Sequence, residues 1–356
     1  MLHEARNMAI QDNKLIRECI RELQSRLPPG WSLSGPISGR ATGSIDAVVE
    51  VAAPDRRTGL LTLEAKIRLD PKSVPALVGA TRDKHTRGVL IVVARYLSSS
   101  TRARLRESDV GYLDLTGNVR IVIPKPGLYI ESQGASEDPD REERPARSLR
   151  GSKAGRIARA LIDRKQPLGV RQLAALTKID AGYVSRVLAF LDTEALVTRI
   201  GRGRMQSVDW PALLRRWAQE APLEVRGQVR TYLEPRGLAA LVARLAKSEE
   251  RYVVSGGLAA AAFAPNAPAR LATVWVRDAA EAATRLGLRP AEAGANVLLV
   301  EPGDDDVFDG AAQRDGVWYA SPSQVAADLL TSPGRGPAEG EELINWMLAN
   351  EDTWRR

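Results

Sequence analysis

The sequence predicts a multi-domain α/β protein, and three observations carry that prediction. Short β-branched runs such as GVLIVVA (88–94) and NVLLVEP (296–302) alternate with amphipathic helical stretches. Charge is partitioned: residues 1–147 carry a net +4, residues 148–217 a net +9, and residues 218–356 a net −6. Between the first two lies GASEDPDREERPARS, with mixed charge, two prolines and no apolar periodicity, which is linker composition. The predicted domains are therefore 1–133, a linker at 134–148, then 149–217 and 218–356. A chain of 356 residues is long enough for each to bury a core of its own.

Bulk chemistry excludes several classes. No apolar run approaches the roughly 20 residues needed to cross a bilayer, so no membrane partner is expected. The start, MLHEARNMAIQDNKLIRECIREL, is charged and helical in pattern rather than a secretory signal, which implies a cytoplasmic protein. Cys19 is the only cysteine, and His3 and His85 are the only histidines. That trio makes no disulfide, no zinc spacing and no Cys/His pair for catalysis. Any chemistry must come from carboxylates, lysines, hydroxyls or a hard metal.

In the first segment a helix over 10–27 buries Ile16, Ile20, Leu23 and Leu27 on one face. Strands follow at 45–52 and 60–67, joined by the turn APDRRTG. A helix over 72–84 and a fully apolar strand at 88–94 come next. A Ser-capped helix then begins at Ser98 or Ser99, and strands close the segment at 110–114 and 119–123. The order is αββαβαββ.

The basic segment has its own order. KAGRIARALID (153–163) is a helix with Ile157, Ala160 and Leu161 inward; VRQLAALTKI is a short second helix with Leu173 and Leu176 inward. YVSRVLAFLDTEALV is a third, with Val184, Leu188 and Leu191 as its stripe. TRIGRGRMQSVDW then offers two short strands around a Gly- and Arg-rich tip. Helix, helix, turn, helix, basic hairpin is the pattern of a winged helix-turn-helix. Recognition helices of this kind enter the major groove by their N-terminal end. That puts Asp180, Tyr183, Ser185 and Arg186 of the third helix toward DNA. Arg186 reaches either a guanine edge or a phosphate. Arg202 and Arg204 flank Gly203 at the wing tip, and Lys153, Arg156 and Lys178 are placed to neutralise flanking phosphates. The alternative for the same pattern is a helical module that binds protein.

Within LTLEAK, Glu64 and Lys66 are two apart on a strand and share a face. Asp46 opens the preceding strand, where hairpin pairing brings it beside Glu64. Two carboxylates near a lysine can hold Mg²⁺ and polarise an attacking water. This ordering resembles the PD-(D/E)xK restriction-endonuclease superfamily, with Ile45 in place of the motif's proline. The resemblance implies Asp46, Glu64 and Lys66 as catalytic residues, with Asp46 and Glu64 as metal ligands.

Residues 112–118, YLDLTGN, follow a helix ending in LRESDV and are similar to the DxxGN signature of AbiEi-type antitoxins. Those are DNA-binding repressors of type IV toxin–antitoxin systems. Read on its residues alone, Asp114 is either a turn cap or a site residue. In the third segment, RYVVSGGLAAAAFAP followed by LATVWVRD resembles the opening of the minimal nucleotidyltransferase fold. The strand that carries two metal-binding acids in active members here reads ATVWV, without a carboxylate, so the likeness is to a degenerate, non-catalytic domain. Asp304, Asp305 and Asp306 form either a cation site or a solvated loop, and the terminal EDTWRR is expected to fray.

Two functions follow as expectations. The first is a transcriptional regulator that binds double-stranded operator DNA as a homodimer, with a cognate toxin as a protein partner and no cofactor. The alternative is an endonuclease that requires Mg²⁺, targeted by the winged helix.

Overall fold

The computed structural model describes residues 2–35, 46–82, 88–136, 138–139, 148–200, 204–264 and 269–356. The chain divides into two compact units, residues 1–143 with 193–195, and residues 144–192 with 196–356. It is a mixed α/β protein with two seven-stranded sheets and one two-stranded hairpin among the described residues. Among the described residues no helix is long and apolar enough to cross a membrane.

The first unit comprises α1 (Leu2–Arg26), β1 (Ser32–Leu33), β2 (Ala47–Ala52), β3 (Thr58–Lys66), α2 (Val74–Arg82) and β4 (Val89–Ala94). It continues with α3 (Ser99–Glu107), β5 (Gly111–Asp114), β6 (Val119–Ile123) and β7 (Leu128–Ser132). The strands lie in sequence order, with β3, β4 and β5 parallel and every other pairing antiparallel. Alternation along β3 divides the unit into two cores. Leu61, Leu63 and Ala65 pack with Leu15, Ile16, Cys19 and Leu23 of α1. On the other face Val92, Ala94 and Tyr112 pack with Val74, Val78 and Leu105. Burial pushes the Cys19 thiol up to about 12, which keeps it an inert core group. The expected αββαβαββ order is present, with two strands more, β1 and β7. Both are sheet edges, and β1 is too short to leave a periodic signal.

The second unit opens with α4 (Ser152–Asp163), α5 (Val170–Thr177), α6 (Ala181–Thr193), β8 (Val197–Ile200) and β9 (Arg204–Val208). It continues with α7 (Trp210–Glu220), α8 (Leu223–Arg226), β10 (Gly227–Leu233), α9 (Leu238–Leu245), β11 (Tyr252–Ser255), α10 (Gly256–Phe263), β12 (Ala272–Val276) and α11 (Ala279–Arg285). The rest is β13 (Arg289–Pro290), β14 (Val297–Pro302), β15 (Ala312–Arg314), β16 (Val317–Tyr319), α12 (Pro322–Leu330), α13 (Gly336–Ala349) and α14 (Glu351–Trp354). Its sheet runs β13-β10-β14-β12-β11-β16-β15.

A single apolar core runs from Leu149 and Ile157 through Val184, Leu188 and Trp217 to Val254, Val274, Leu299 and Ile344. The segments expected as separate domains at 149–217 and 218–356 therefore share one core. A buried ion pair sits where they meet. Asp328 of α12, fully buried, lies 2.6 Å from Arg226 and accepts from Ser255 Oγ (2.5 Å), Trp275 Nε1 (2.9 Å) and Gln324 Nε2 (2.9 Å). The Arg226 guanidinium lies between Trp217 (5.3 Å) and Trp275 (5.9 Å). Its Nη1 meets Asp328 by charge without the direction of a hydrogen bond, and its Nη2 finds no hydrogen-bond partner among the described residues.

The C-terminus does not fray. Arg356 N–H donates to Asp163 O (2.9 Å), Lys165 N–H donates to Arg356 O (2.6 Å), and Trp354 packs edge-on against Trp210 at 5.1 Å. The expectation failed because EDTWRR is polar on average, while its one aromatic ring packs on Trp210 and its last residues pair with the end of α4.

Candidate functional site

The β2–β3 register pairs Ala47 with Leu63, so Asp46, one residue earlier, falls opposite Glu64. Asp46 Oδ2 accepts from the Ala65 amide at 2.8 Å, which fixes its carboxylate at the end of β3. Glu64 is 6% exposed, and its Oε1 accepts from Lys66 Nζ at 2.6 Å. The three expected side chains are thus together. A fourth group joins them, which the sequence did not single out. Burial and the Asp46 carboxylate push Asp12 of α1 above the ordinary carboxylate range, while Lys66 pulls it down. Asp12 precedes Ile16 by one turn, so the stripe that buries Ile16 also carries Asp12 to the sheet. Only that helical phase could have flagged it. Hard carboxylate oxygens are the donors Mg²⁺ prefers, although no cluster of three or more acids, His or Cys with metal-holding geometry occurs among the described residues.

Asp114 is a turn cap. Its Oδ1 accepts from Thr116 N (2.9 Å), Thr116 Oγ1 (2.7 Å) and Asn118 N (3.1 Å), and its Oδ2 from Leu97 N and Asn118 Nδ2 (both 2.9 Å). Asn118 in turn takes Gly134 N–H (2.9 Å) and Arg102 Nη1 (2.5 Å) on Oδ1. With every acceptor occupied, this carboxylate has no capacity left for a substrate. The motif DLTGN is a saturated knot that ties β5, β6 and the start of α3 together.

In the second unit α4, α5, α6 and the β8–β9 hairpin occur in the expected order. Val184, Leu188 and Leu191 of α6 and Ile157 and Leu161 of α4 are buried. Leu176 is the exception, at 43% exposed. α5 has eight residues and buries Leu173 and Thr177, four apart, which leaves Leu176 on the outer side.

The nine residues expected at DNA separate by their partners. Lys153 and Lys178 are exposed, the latter in the left-handed conformation at the end of α5 (φ 54°). Ser185 is half-buried and Arg186 exposed on the outer face of α6. Asp180 instead caps α6, accepting from Gly182 N (2.9 Å) and Tyr183 N (3.1 Å). Arg156 faces inward: it holds Asp304 through both carboxylate oxygens at 2.5 Å and donates to Thr177 O at 3.3 Å. Arg202 and the side chain of Arg204 lie outside the described residues.

The acids at 304–306 are engaged by arginines, with Asp305 still exposed. Asp304 takes Arg156, Asp305 takes Arg251 (3.1 Å) and Arg277 (2.7 Å), and Asp306 lies 3.9 Å from Arg156. Arg159, 6% exposed, donates to the carbonyls of Asp306 and Asp309 and lies 3.9 Å from Asp163. Burial pushes both Asp163 and Asp306 up, with Arg159 opposing in each case.

All five residues of β12, ATVWV, are buried, and none is acidic. At the start of α10 a Cβ on Gly257 would lie 2.8 Å from the Glu339 carboxylate of α13, so this glycine gives room to an internal anion. No protein-family model, curated protein or solved structure matches this chain.

Proposed function

We propose that the chain is a DNA-binding transcriptional regulator of the antitoxin kind, reading operator DNA with α4, α5, α6 and the β8–β9 hairpin as a winged helix. One observation supports this above the others. Arginines that face inward in the second unit meet carboxylates, whereas Lys153, Lys178 and Arg186 stand exposed without an ion pair among the described residues. Uncompensated cations at the ends of α4 and α5 and on the outer face of α6 are the footprint a phosphate backbone requires. In this reading Ser185 and Arg186 meet base edges, Lys153 and Lys178 meet phosphates, and a homodimer spans two half-sites. The 218–356 segment is a nucleotidyltransferase-like body that has lost its acids and offers a surface to a toxin. Arg186→Ala should weaken specific binding and relax base preference in a gel shift with an operator fragment selected from genomic DNA. Equal shifts by parent and variant would reject the assignment of α6.

A second reading is favoured by the company of Asp12, Asp46, Glu64 and Lys66. It makes the first unit a PD-(D/E)xK-like endonuclease in which Asp46 and Glu64 hold Mg²⁺. The metal would supply a Lewis acid and an activated water. Lys66 holds Glu64 in place, and Asp46 is oriented by the Ala65 amide. Here plasmid nicking depends on Mg²⁺ or Mn²⁺ and disappears in Lys66→Ala while DNA binding persists. Binding without cleavage of plasmid or linear duplex rejects it.

A further inference from the structure

We infer that Tyr183 and Gly182 are specificity-determining positions which hold the Arg186 guanidinium ready for one guanine edge, an inference that rests on the DNA-binding reading above. Arg186 points back along α6, as long helical side chains do. Its guanidinium carbon lies 5.7 Å from the centroid of the Tyr183 ring, three residues earlier. Four residues earlier is Gly182, where a Cβ would lie 3.6 Å from Arg186 Nη1 and 3.0 Å from Asp180 Oδ1. The bare backbone there keeps a lane open: a Cβ would crowd the capping carboxylate and touch the guanidinium.

The three neighbours act in different ways. Tyr183 is half-buried and packs against the core, so its ring is a fixed platform rather than a second flexible arm. The ring face attracts the cation and leaves the guanidinium edge, with its parallel N–H donors, free to bond. Asp180 is immobilised by the two amides it caps, and its charge repels a phosphate from the same spot. What remains favourable for Arg186 is a planar pair of acceptors approached edge-on, which is the O6/N7 face of guanine. An arginine that only neutralised phosphate would need neither the platform nor the lane. Tyr183 therefore acts through Arg186, as a positioning residue.

The test measures affinity of the full chain for its selected operator, for the same operator with each guanine substituted in turn, and for unrelated duplex. Circular dichroism melting of every variant checks the fold. Arg186→Lys keeps the charge but loses the fork. It should flatten discrimination at one guanine by on the order of tenfold or more while binding to unrelated duplex holds. Tyr183→Leu, which keeps apolar packing, should cut discrimination at that same guanine by about two- to fivefold, and Tyr183→Phe should restore it. Gly182→Ala, which fills the lane, should lower discrimination there as well. Losses spread evenly over all positions and over unrelated duplex overturn the inference, because they mark a general loss of fold or charge. Unchanged guanine preference in Tyr183→Leu and Gly182→Ala overturns it too. If the parent shows no sequence preference at all, the DNA-binding reading itself falls, which is a distinct result.

Discussion

Asp114 shows how one side chain in a short motif serves structure alone. Five donors converge on its two oxygens, and all of them lie within the first unit. Removing it leaves the Leu97, Thr116 and Asn118 amides without that acceptor. Asp114→Ala should lower stability by about 3 kcal/mol, read as a shift of the urea midpoint of the first unit's transition. A second prediction at this scale concerns charge. Lys153 is exposed, whereas Arg156 is spent on Asp304. Lys153→Ala should therefore reduce the slope of log affinity against log salt by about one. Arg156→Ala should leave that slope unchanged and cost stability instead, and fluorescence anisotropy across a salt series separates the two. Glu64 and Lys66 were legible from spacing, because i and i+2 on a strand share a face whatever surrounds them, and Asp46 from the hairpin that pairs the two strands. Asp12 was not legible, since its place depends on how α1 lies over the sheet.

At the scale of elements, α4 is tied to a loop distant in sequence. Its inner face meets Asp304, Asp306 and Asp309 through Arg156 and Arg159, and its own half-buried Asp163 sits among Arg159, Arg164, Arg356 and Ser323. Burial raises Asp163 in the folded state, so folding binds a proton more tightly than the unfolded chain does. The stability tied to that proton is complete below the ordinary carboxylate range and is lost as pH rises through the raised value. Asp163→Asn carries no charge to expose to that cost. Relative to the parent it should gain thermal stability as pH climbs from about 5 towards about 8, and an advantage that grows instead on acidification would contradict the sign. The triplet α4, α5 and α6 was legible because apolar residues recur with helical period. The partners of its arginines were not, because Asp304 lies 148 residues from Arg156 and nothing in local pattern joins them.

The whole molecule has fewer independent parts than its composition suggests. Charge and periodicity divide the chain at 217, but Trp217, Arg226, Trp275 and Asp328 lie on both sides of that division and form one buried cluster. A fragment of 149–217 should lack a cooperative melt, because much of its core surface would face water. A fragment of 144–356 should melt cooperatively, with calorimetry of the two distinguishing the outcomes. The pairing of α4 with the 304–309 loop also bears on inheritance. Residues Arg156 and Arg159 and the acids they meet form one heritable set, so replacing α4 with the corresponding helix of another protein would strand several carboxylates against each other. A crossover between residues 163 and 304 carries a penalty unless both ends come from the same parent.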